Sequence, residues 1–296
     1  MSIATESRTE DGAESSADAQ AAFADEWRQW HGAHEERRTD PHGFFAVTGL
    51  HWLTPEPTRF DGIPGTWSTG AEGPIVDLAE GETLMVDGEA ATGRRAFGVL
   101  AERGGLTVSF EEGVIEIAKR SGHDILRPRR PDHPFLSAYR GTDAFEPQPR
   151  WRVPARFVAF DAPRPTEVGA AVDGLTHVYD APGVLEFAVD GEEYRLTAFP
   201  GHTEGFTVLF TDATSGVTTY AANRTVSVAE PDAEGRTVID FNRAVNLPCA
   251  YTDFATCPLP PVENRLPIPV EAGEKTPTQR VRADAPLVAP AGASAA

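Results

Sequence analysis

Short runs of β-branched and aromatic residues, separated by turn sequences, recur along most of this chain. From Gly43 onward apolar and polar residues alternate within the runs, and turn sequences such as ERGG, EEG and Asp190-Gly191 divide them. Alternation with a period of two is typical of strands that bury one face. We therefore predict a mainly β protein made of two linked antiparallel sandwich-like or barrel-like halves.

The predicted strands form two groups on either side of residues 127–150, a region without a clear period. The strands of these groups are 44–48, 83–86, 94–101, 106–110, 114–119 and 124–127, and then 151–160, 184–189, 194–199, 206–211, 217–220, 225–228 and 237–242. Pro154 lies inside the first strand of the second group. Because proline lacks a backbone donor, it indicates an edge strand or a bulge there.

One helix is predicted before the strands, from Gln20 to Arg38, and Asp40-Pro41 ends it. Its apolar stripe recurs at helical spacing through Phe23, Trp27, Trp30 and His34. The resulting organisation is a disordered acidic N-terminus (1–19), the helix with a first β-domain (20–126), a junction (127–150), a second β-domain (151–275) and a disordered tail (276–296).

The charge balance excludes several classes of partner. The net charge is −19, and of 26 basic residues only Lys119 and Lys275 are lysine. An acidic surface that avoids lysine is typical of proteins that work in concentrated salt, so we expect a halophilic source. The same charge argues against binding nucleic acid or an anionic membrane.

No apolar run is long enough to span a membrane, and the first residues lack a secretory signal. We therefore predict a cytoplasmic protein, and the sequence does not define its oligomeric state.

The segment from Asp240 to Glu274, hereafter the proline-rich segment, holds both cysteines and six of the 25 prolines. Proline fixes φ and removes a donor, so the segment should follow a rigid, extended path. Such a loop suits a binding or catalytic site, and it equally suits a clasp that closes a β-domain.

Three blocks of this chain resemble domain of unknown function family 1684, found in bacteria and archaea. They are GFFAVTGLHWL at 43–53, LFTDATSGVTTYAANR at 209–224, and DFNRAVNLPCAY to VENRLPIPVEAGEK within 240–275. The resemblance covers roughly Trp27 to Lys275 and implies no activity, substrate or catalytic residue. Where the family usually has AYNPPC, this chain has AVNLPC at 244–249, so a role for the first tyrosine of that pattern does not carry over.

Arginines concentrate between Lys119 and Arg156, a segment that holds nine basic and four acidic residues. Guanidinium groups that converge would form an anion pocket, and dispersed ones would form surface ion pairs. The candidate ligand-binding residues are Arg129, Arg130, Arg156, Arg224, Asn242, Arg243, Asn246 and Asn264. The candidate catalytic residues are Asp240, Tyr220 and Tyr251.

These candidates support three hypotheses. The first is a protein that binds a small anionic metabolite, or a hydrolase-like enzyme acting on one, with its site in the C-terminal β-domain. The second is a non-catalytic β-sandwich interaction module, and the third is a purely structural protein. No cofactor is predicted, because nucleotide-binding and zinc-protease motifs do not occur in the sequence.

No metal site is predicted either. Cys249 and Cys257 are not spaced as a zinc pair, and we expect them to be free, buried thiols. His31 and His34 lie beside Glu35 and Glu36 on the predicted helix, and we interpret them as part of its solvated face.

Overall fold

The computed structural model of the chain describes residues 7–201 and 204–284. Its main helix, α1, spans Ser7–Arg38 and so begins thirteen residues before the predicted Gln20. This start lies inside the segment expected to be disordered, of which residues 1–6 lie outside the described part of the chain. Alanine and glutamate, both strong helix formers, recur through the added turns. Among the described residues, no helix is both long and apolar enough to cross a membrane.

The described residues of the first half form ten strands in two antiparallel sheets. The strands are β1 (His51–Trp52), β2 (Thr58–Arg59), β3 (Thr66–Gly70), β4 (Gly73–Asp77), β5 (Leu84–Val86), β6 (Glu89–Ala91), β7 (Arg94–Ala96), β8 (Gly105–Phe110), β9 (Gly113–Arg120) and β10 (His123–Arg129). One sheet has the order β1-β10-β9-β8-β5-β6 and the other β2-β3-β4-β7. Their inner faces share a core in which Trp67, Ile115 and Ile117 are fully buried.

The second half is a six-stranded antiparallel sheet that curls into a half-barrel. Its strands are β11 (Arg152–Gly169), β12 (Thr176–Val189), β13 (Glu192–Pro200), β14 (Phe206–Phe210), β15 (Arg224–Val228) and β16 (Arg236–Asp240), in the order β15-β14-β13-β12-β11-β16. Phe210, Phe241 and Leu196 lie in its core. A short helix, α2 (Pro134–Ala138), lies in the junction between the halves. The mainly β architecture predicted from the sequence is confirmed.

Strand β11 is not the edge strand that Pro154 suggested. It lies between β12 and β16, and Pro154 is opposite Val238 of β16. Pairing with β12 begins only at Ala155, so the missing N–H of Pro154 removes no bond from that ladder. The expected irregularity occurs farther along, where the register shifts between Ala159 and Arg164.

Two predicted strands are replaced by turns. Residues 44–46 form a single 3-10 turn, and the following Val47 makes only an isolated bridge to Arg129. Residues 217–220 lie in a loop that Thr214 organises, since its carbonyl accepts the backbone N–H groups of Val217, Thr218 and Thr219. Hydrogen bonds of this local kind compete with a sheet ladder.

The segment after the second half is held against the protein as far as it is described. Val281 bridges to Thr252, and Arg280 pairs with Asp253. Residues 276–284 therefore differ from the predicted disordered tail, while residues 285–296 lie outside the described part.

Candidate functional site

Helix α1 docks on the proline-rich segment through polar contacts at the edge of the aromatic face of the helix. The indole Nε1 of Trp27 donates to the carbonyl of Asn242 at 2.5 Å, and Glu26 accepts from Arg243 at 2.6 Å. The guanidinium of Arg243 also lies 5.3 Å from the centre of the Trp30 ring. The aromatic stripe predicted from helical spacing thus positions the helix on this segment.

Beneath the last two turns of α1, five charged or polar side chains meet. We call them the Glu274 cluster: His31, His34, Glu35, Arg38 and Glu274. The carboxylate of Glu274 is 1% exposed. Its Oε2 accepts from Arg38 Nη2 and from the backbone N–H of Asn246, both at 2.7 Å. Its Oε1 lies 3.4 Å from His31 Nε2 and 3.9 Å from His34 Nε2.

Three buried atoms of the Glu274 cluster have no hydrogen-bond partner among the described residues. They are His31 Nε2, His34 Nε2 and Glu274 Oε1. The contact between His31 and Glu274 therefore brings the two side chains close without a well-formed hydrogen bond. Buried polar atoms are nearly always paired, so a group of three that face one another is unusual.

A chain of hydroxyl groups links the two carboxylates of the cluster on their other side. Tyr139 donates to Glu35 and contacts the Thr142 hydroxyl at 2.6 Å. Thr142 in turn contacts the Tyr251 hydroxyl at 2.8 Å, and Tyr251 donates to Glu274 Oε2 at 3.3 Å. The outer oxygens of both carboxylates are thereby fixed in position.

Burial and the neighbouring charges shift the pKa values of Glu274, His34 and the adjacent Tyr251 away from those of solvent-exposed side chains. Burial alone would raise the pKa of Glu274, but the nearby His31 and the guanidinium of Arg38 lower it to about 2. Burial and then the positive charge of Arg38 lower the pKa of His34 to about 4, so this imidazole is neutral at pH 7. Burial and the Glu274 carboxylate raise the pKa of Tyr251, which keeps its phenol protonated.

A cleft of about 320 Å³ opens beside the cluster, between α1 and the proline-rich segment. Phe44, Phe45, Pro248 and the Tyr251 ring form its apolar walls, and His34, Arg37, Arg38 and Asn246 supply its polar groups. Asn246 donates through Nδ2 to the Lys275 carbonyl, and its buried Oδ1 has no partner in the described part of the chain. An apolar pocket with a few convergent polar groups is typical of a small-molecule site.

Comparison with known proteins identifies the family. The model of the family described as "Protein of unknown function (DUF1684)" matches residues 137–275. The chain belongs to the DUF1684 family. An uncharacterised protein of Haloarcula marismortui, with a solution NMR structure, is 34% identical, and the match covers 47% of this chain and 78% of that one with a TM-score of 0.40. The search of curated proteins found no match.

The family match includes only one side of the candidate site. Glu274, Asn246 and Tyr251 lie within the residues matched to DUF1684, whereas α1 precedes them. The block at 43–53 that carried part of the sequence resemblance also precedes the matched residues.

In this DUF1684 protein, Asp240, Asn242 and Arg243 brace the start of the proline-rich segment. Asp240 Oδ1 accepts from the backbone N–H of Asn242 at 3.1 Å, and Asp240 Oδ2 lies 3.5 Å from Arg243 Nε. Asn242 is 1% exposed and exchanges hydrogen bonds with the backbone of Gln148. Asp240 and Arg243 therefore lie together, and their other described partners are Asn242 and helix α1.

Arg224 and Asn264 are buried and bonded to the protein itself. Arg224 pairs with Asp212 at 2.8 Å, both side chains being 1% exposed. Asn264 is fully buried and bonds the backbone of Thr197 and the Leu209 carbonyl. Both residues hold the proline-rich segment on the half-barrel.

Part of the arginine-rich segment converges on one carboxylate of the protein, since Arg120, Arg127 and Arg129 all pair with Glu116. Arg129 pairs with Glu116 and donates to the His42 carbonyl, and Arg130 pairs with Glu112 and Asp132. Arg156 is exposed. Since carboxylates of the protein offset the charge of Arg129 and Arg130, this segment fits the ion-pair interpretation better than a pocket open to an anion.

Of the three candidate catalytic residues, Tyr251 alone touches the Glu274 cluster among the contacts described. Tyr220 donates to the Cys249 carbonyl at 2.9 Å, away from Glu274. Cys249 and Cys257 are free and buried, as expected, and the hydrogen bond to Cys257 together with burial raises the pKa of Cys249.

The interpretation of His31 and His34 as a solvated helix face is wrong. Their side chains are only 14% and 21% exposed because they pack over Glu274. The spacing of His31, His34 and Glu35 on one helix was the only local signal of the site. The sequence offers no signal that joins them to Glu274, which lies near the opposite end of the chain.

Proposed function

We propose that this protein binds a small anionic ligand with an apolar body in the cleft beside the Glu274 cluster. The observation that carries the proposal is the composition of that cleft, in which aromatic walls meet a cationic rim and an unpartnered acceptor. The proposed site lies on the proline-rich segment, for which the sequence left a binding site and a clasp equally open, but its cationic groups come from α1.

Arg37 and Arg38 play different parts in this proposal. Arg38 is committed to Glu35 and Glu274, which offset its charge. Arg37 is exposed at the cleft, and no ion pair involves it within the described residues. Its guanidinium is therefore the group available to a carboxylate or phosphate.

The remaining cleft groups restrict the ligand further. Asn246 Oδ1 can only accept a hydrogen bond, so the ligand should carry a donor such as a hydroxyl or amide N–H. The Phe44 and Phe45 rings and Pro248 favour an aromatic or branched apolar body. Tyr251 stays protonated, so it acts as a hydrogen-bond donor and not as a general base.

We also propose a salt-rich cytoplasm as the working environment. The net charge of −19 with only two lysines supports a salt-rich environment, and two buried thiols that form no disulfide support a reducing compartment.

The binding proposal is tested by thermal shift with a library of small carboxylic and phosphoric acids. Arg37→Gln should abolish the stabilisation by any acid that raises the melting temperature of the wild type. The matched control is Arg28→Gln, because Arg28 lies on the same helix, is exposed and pairs only with Asp25 among its described contacts. If both variants respond to the acids as the wild type does, or if no acid stabilises the wild type, the cleft is not the binding site.

A further inference from the structure

The Glu274 cluster holds the donor set of a metal site. We propose that His31, Glu35 and Glu274 bind one divalent transition-metal ion, with His34 at its edge. The candidate ligand atoms of His31, Glu35 and Glu274 all lie within 4.8 Å of one another.

The separations between these atoms are close to those of ligands that share one ion. His31 Nε2 is 3.4 Å from Glu274 Oε1 and 3.8 Å from Glu35 Oε1. Nitrogen and oxygen ligands bound at about 2.0–2.2 Å in a tetrahedral arrangement lie roughly 3.3–3.6 Å apart. Movements of a few tenths of an ångström therefore suffice to place His31 and either carboxylate on a common cation, and the separation between the two carboxylates is at most 4.8 Å.

The unpartnered atoms point independently to a ligand. Glu274 is 1% exposed, and its Oε1 has no hydrogen-bond partner in the described chain, as is also true of Nε2 in His31 and in His34. One cation would satisfy the carboxylate oxygen and an imidazole nitrogen together.

The surroundings fix the ligands in the manner usual for metal sites, where outer groups orient the inner ones. The ring of Trp27 stacks on His31 at 4.6 Å and that of Trp30 on His34 at 5.6 Å. Arg38 and the N–H of Asn246 hold Glu274 Oε2, so Oε1 remains free to bind. The two carboxylates outweigh the single charge of Arg38, which leaves the cluster net negative toward a cation.

The donor types select the class of ion. Imidazole with two carboxylates suits Zn²⁺ or Mn²⁺, whereas Mg²⁺ and Ca²⁺ prefer sites made wholly of oxygen. This inference does not rest on the proposed function, because metal binding is measured without any organic ligand.

The experiment is equilibrium dialysis of the tag-free protein against Zn²⁺ in excess Mg²⁺, with the bound zinc quantified by elemental analysis. The excess Mg²⁺ suppresses weak binding to the acidic surface. We expect one tightly held Zn²⁺ in the wild type and affinity at least tenfold lower in Glu35→Gln and His31→Gln, since changes even to outer groups cost about 10–100-fold. Glu36→Gln is the matched control, because Glu36 is the exposed neighbour of Glu35 on the same helix.

Zinc retained equally by Glu35→Gln and Glu36→Gln, or no zinc held by the wild type, would overturn the proposal. Circular dichroism checks that each variant folds. If both ligand variants fail to fold, imidazole resonances of the wild type decide the matter. Zinc should then shift the signals of His31 and His34 among the eight histidines, and unchanged signals from this pair would refute the site.

Discussion

Replacement of Arg224 by methionine should destabilise the protein severely. Arg224 and Asp212 form an ion pair in which both side chains are 1% exposed. Arg224 also donates to the carbonyls of Val270 at 3.0 Å and Glu274 at 3.3 Å, and to that of Ala272. Methionine retains the apolar stem but leaves the Asp212 carboxylate and these carbonyls without their partner.

The magnitude follows from the burial of the pair. Removal of one partner from a buried ion pair costs about 3–5 kcal/mol, because the other charge remains in a medium of low polarity. The lost hydrogen bonds to carbonyls belong to the same network, so their cost overlaps with this figure rather than adding to it. Since domains have about 5–15 kcal/mol of stability, the change removes a large part of the total.

The assay is equilibrium unfolding in urea at fixed salt, with Arg195→Met as the control. Arg195 also pairs with a carboxylate, Glu186, at 3.1 Å, but its side chain is 69% exposed. Exposed pairs contribute about 0–1 kcal/mol. The difference between the two variants therefore measures the effect of burial on otherwise similar ion pairs.

If Arg224→Met lowers the free energy of unfolding by no more than Arg195→Met does, the reasoning is refuted. This result would also support the sequence-based hypothesis that Arg224 binds a ligand, because charged residues retained for function often contribute nothing to folding stability or reduce it.

Three further predictions concern charge. The pKa of Glu274 falls from 4.5 to about 2 on folding, so the stability that this carboxylate contributes is present above about pH 4.5. About 3 kcal/mol of unfolding free energy is lost as the pH falls toward 2. Urea unfolding should show this loss in the wild type and not in Glu274→Gln. The net charge of −19 predicts a melting temperature that falls steadily from molar to low salt, and an unchanged value would remove the halophilic argument. Arg243→Ala should lower the melting temperature, because it removes the ion pair that holds Glu26 of α1 to Arg243, and it should leave stabilisation by acids intact; loss of that stabilisation would place Arg243 in the binding site.

The sequence predicted the parts of the fold that depend on local patterns. The alternation of β8 and β9 and the helical spacing of Trp27 and Trp30 are set by which faces are buried, so they are visible in the residues themselves. The sequence predicts a strand at 217–220 because β-branched residues favour strands, but hydrogen bonds to the Thr214 carbonyl hold these residues in a turn.

The candidate site could not be predicted in the same way. Its histidines are polar residues on a helix whose other faces are exposed, and local spacing does not reveal that a buried carboxylate covers them. Glu274 likewise follows a glycine at the end of the proline-rich segment, with no neighbouring histidine in sequence. Only the docking of α1 on that segment brings the two together, and the sequence predicted the helix but not its docking surface.

Glu274 connects the half-barrel with helix α1, because its backbone and its side chain have different partners. Its carbonyl accepts from Arg224 in the half-barrel, while its carboxylate accepts from Arg38 of α1. A substitution that removes only the carboxylate charge should weaken the docking of α1 and spare the half-barrel. A substitution at Arg224 should release the end of the proline-rich segment and with it the carboxylate, so that the stability of the core and the geometry of the Glu274 cluster are lost together.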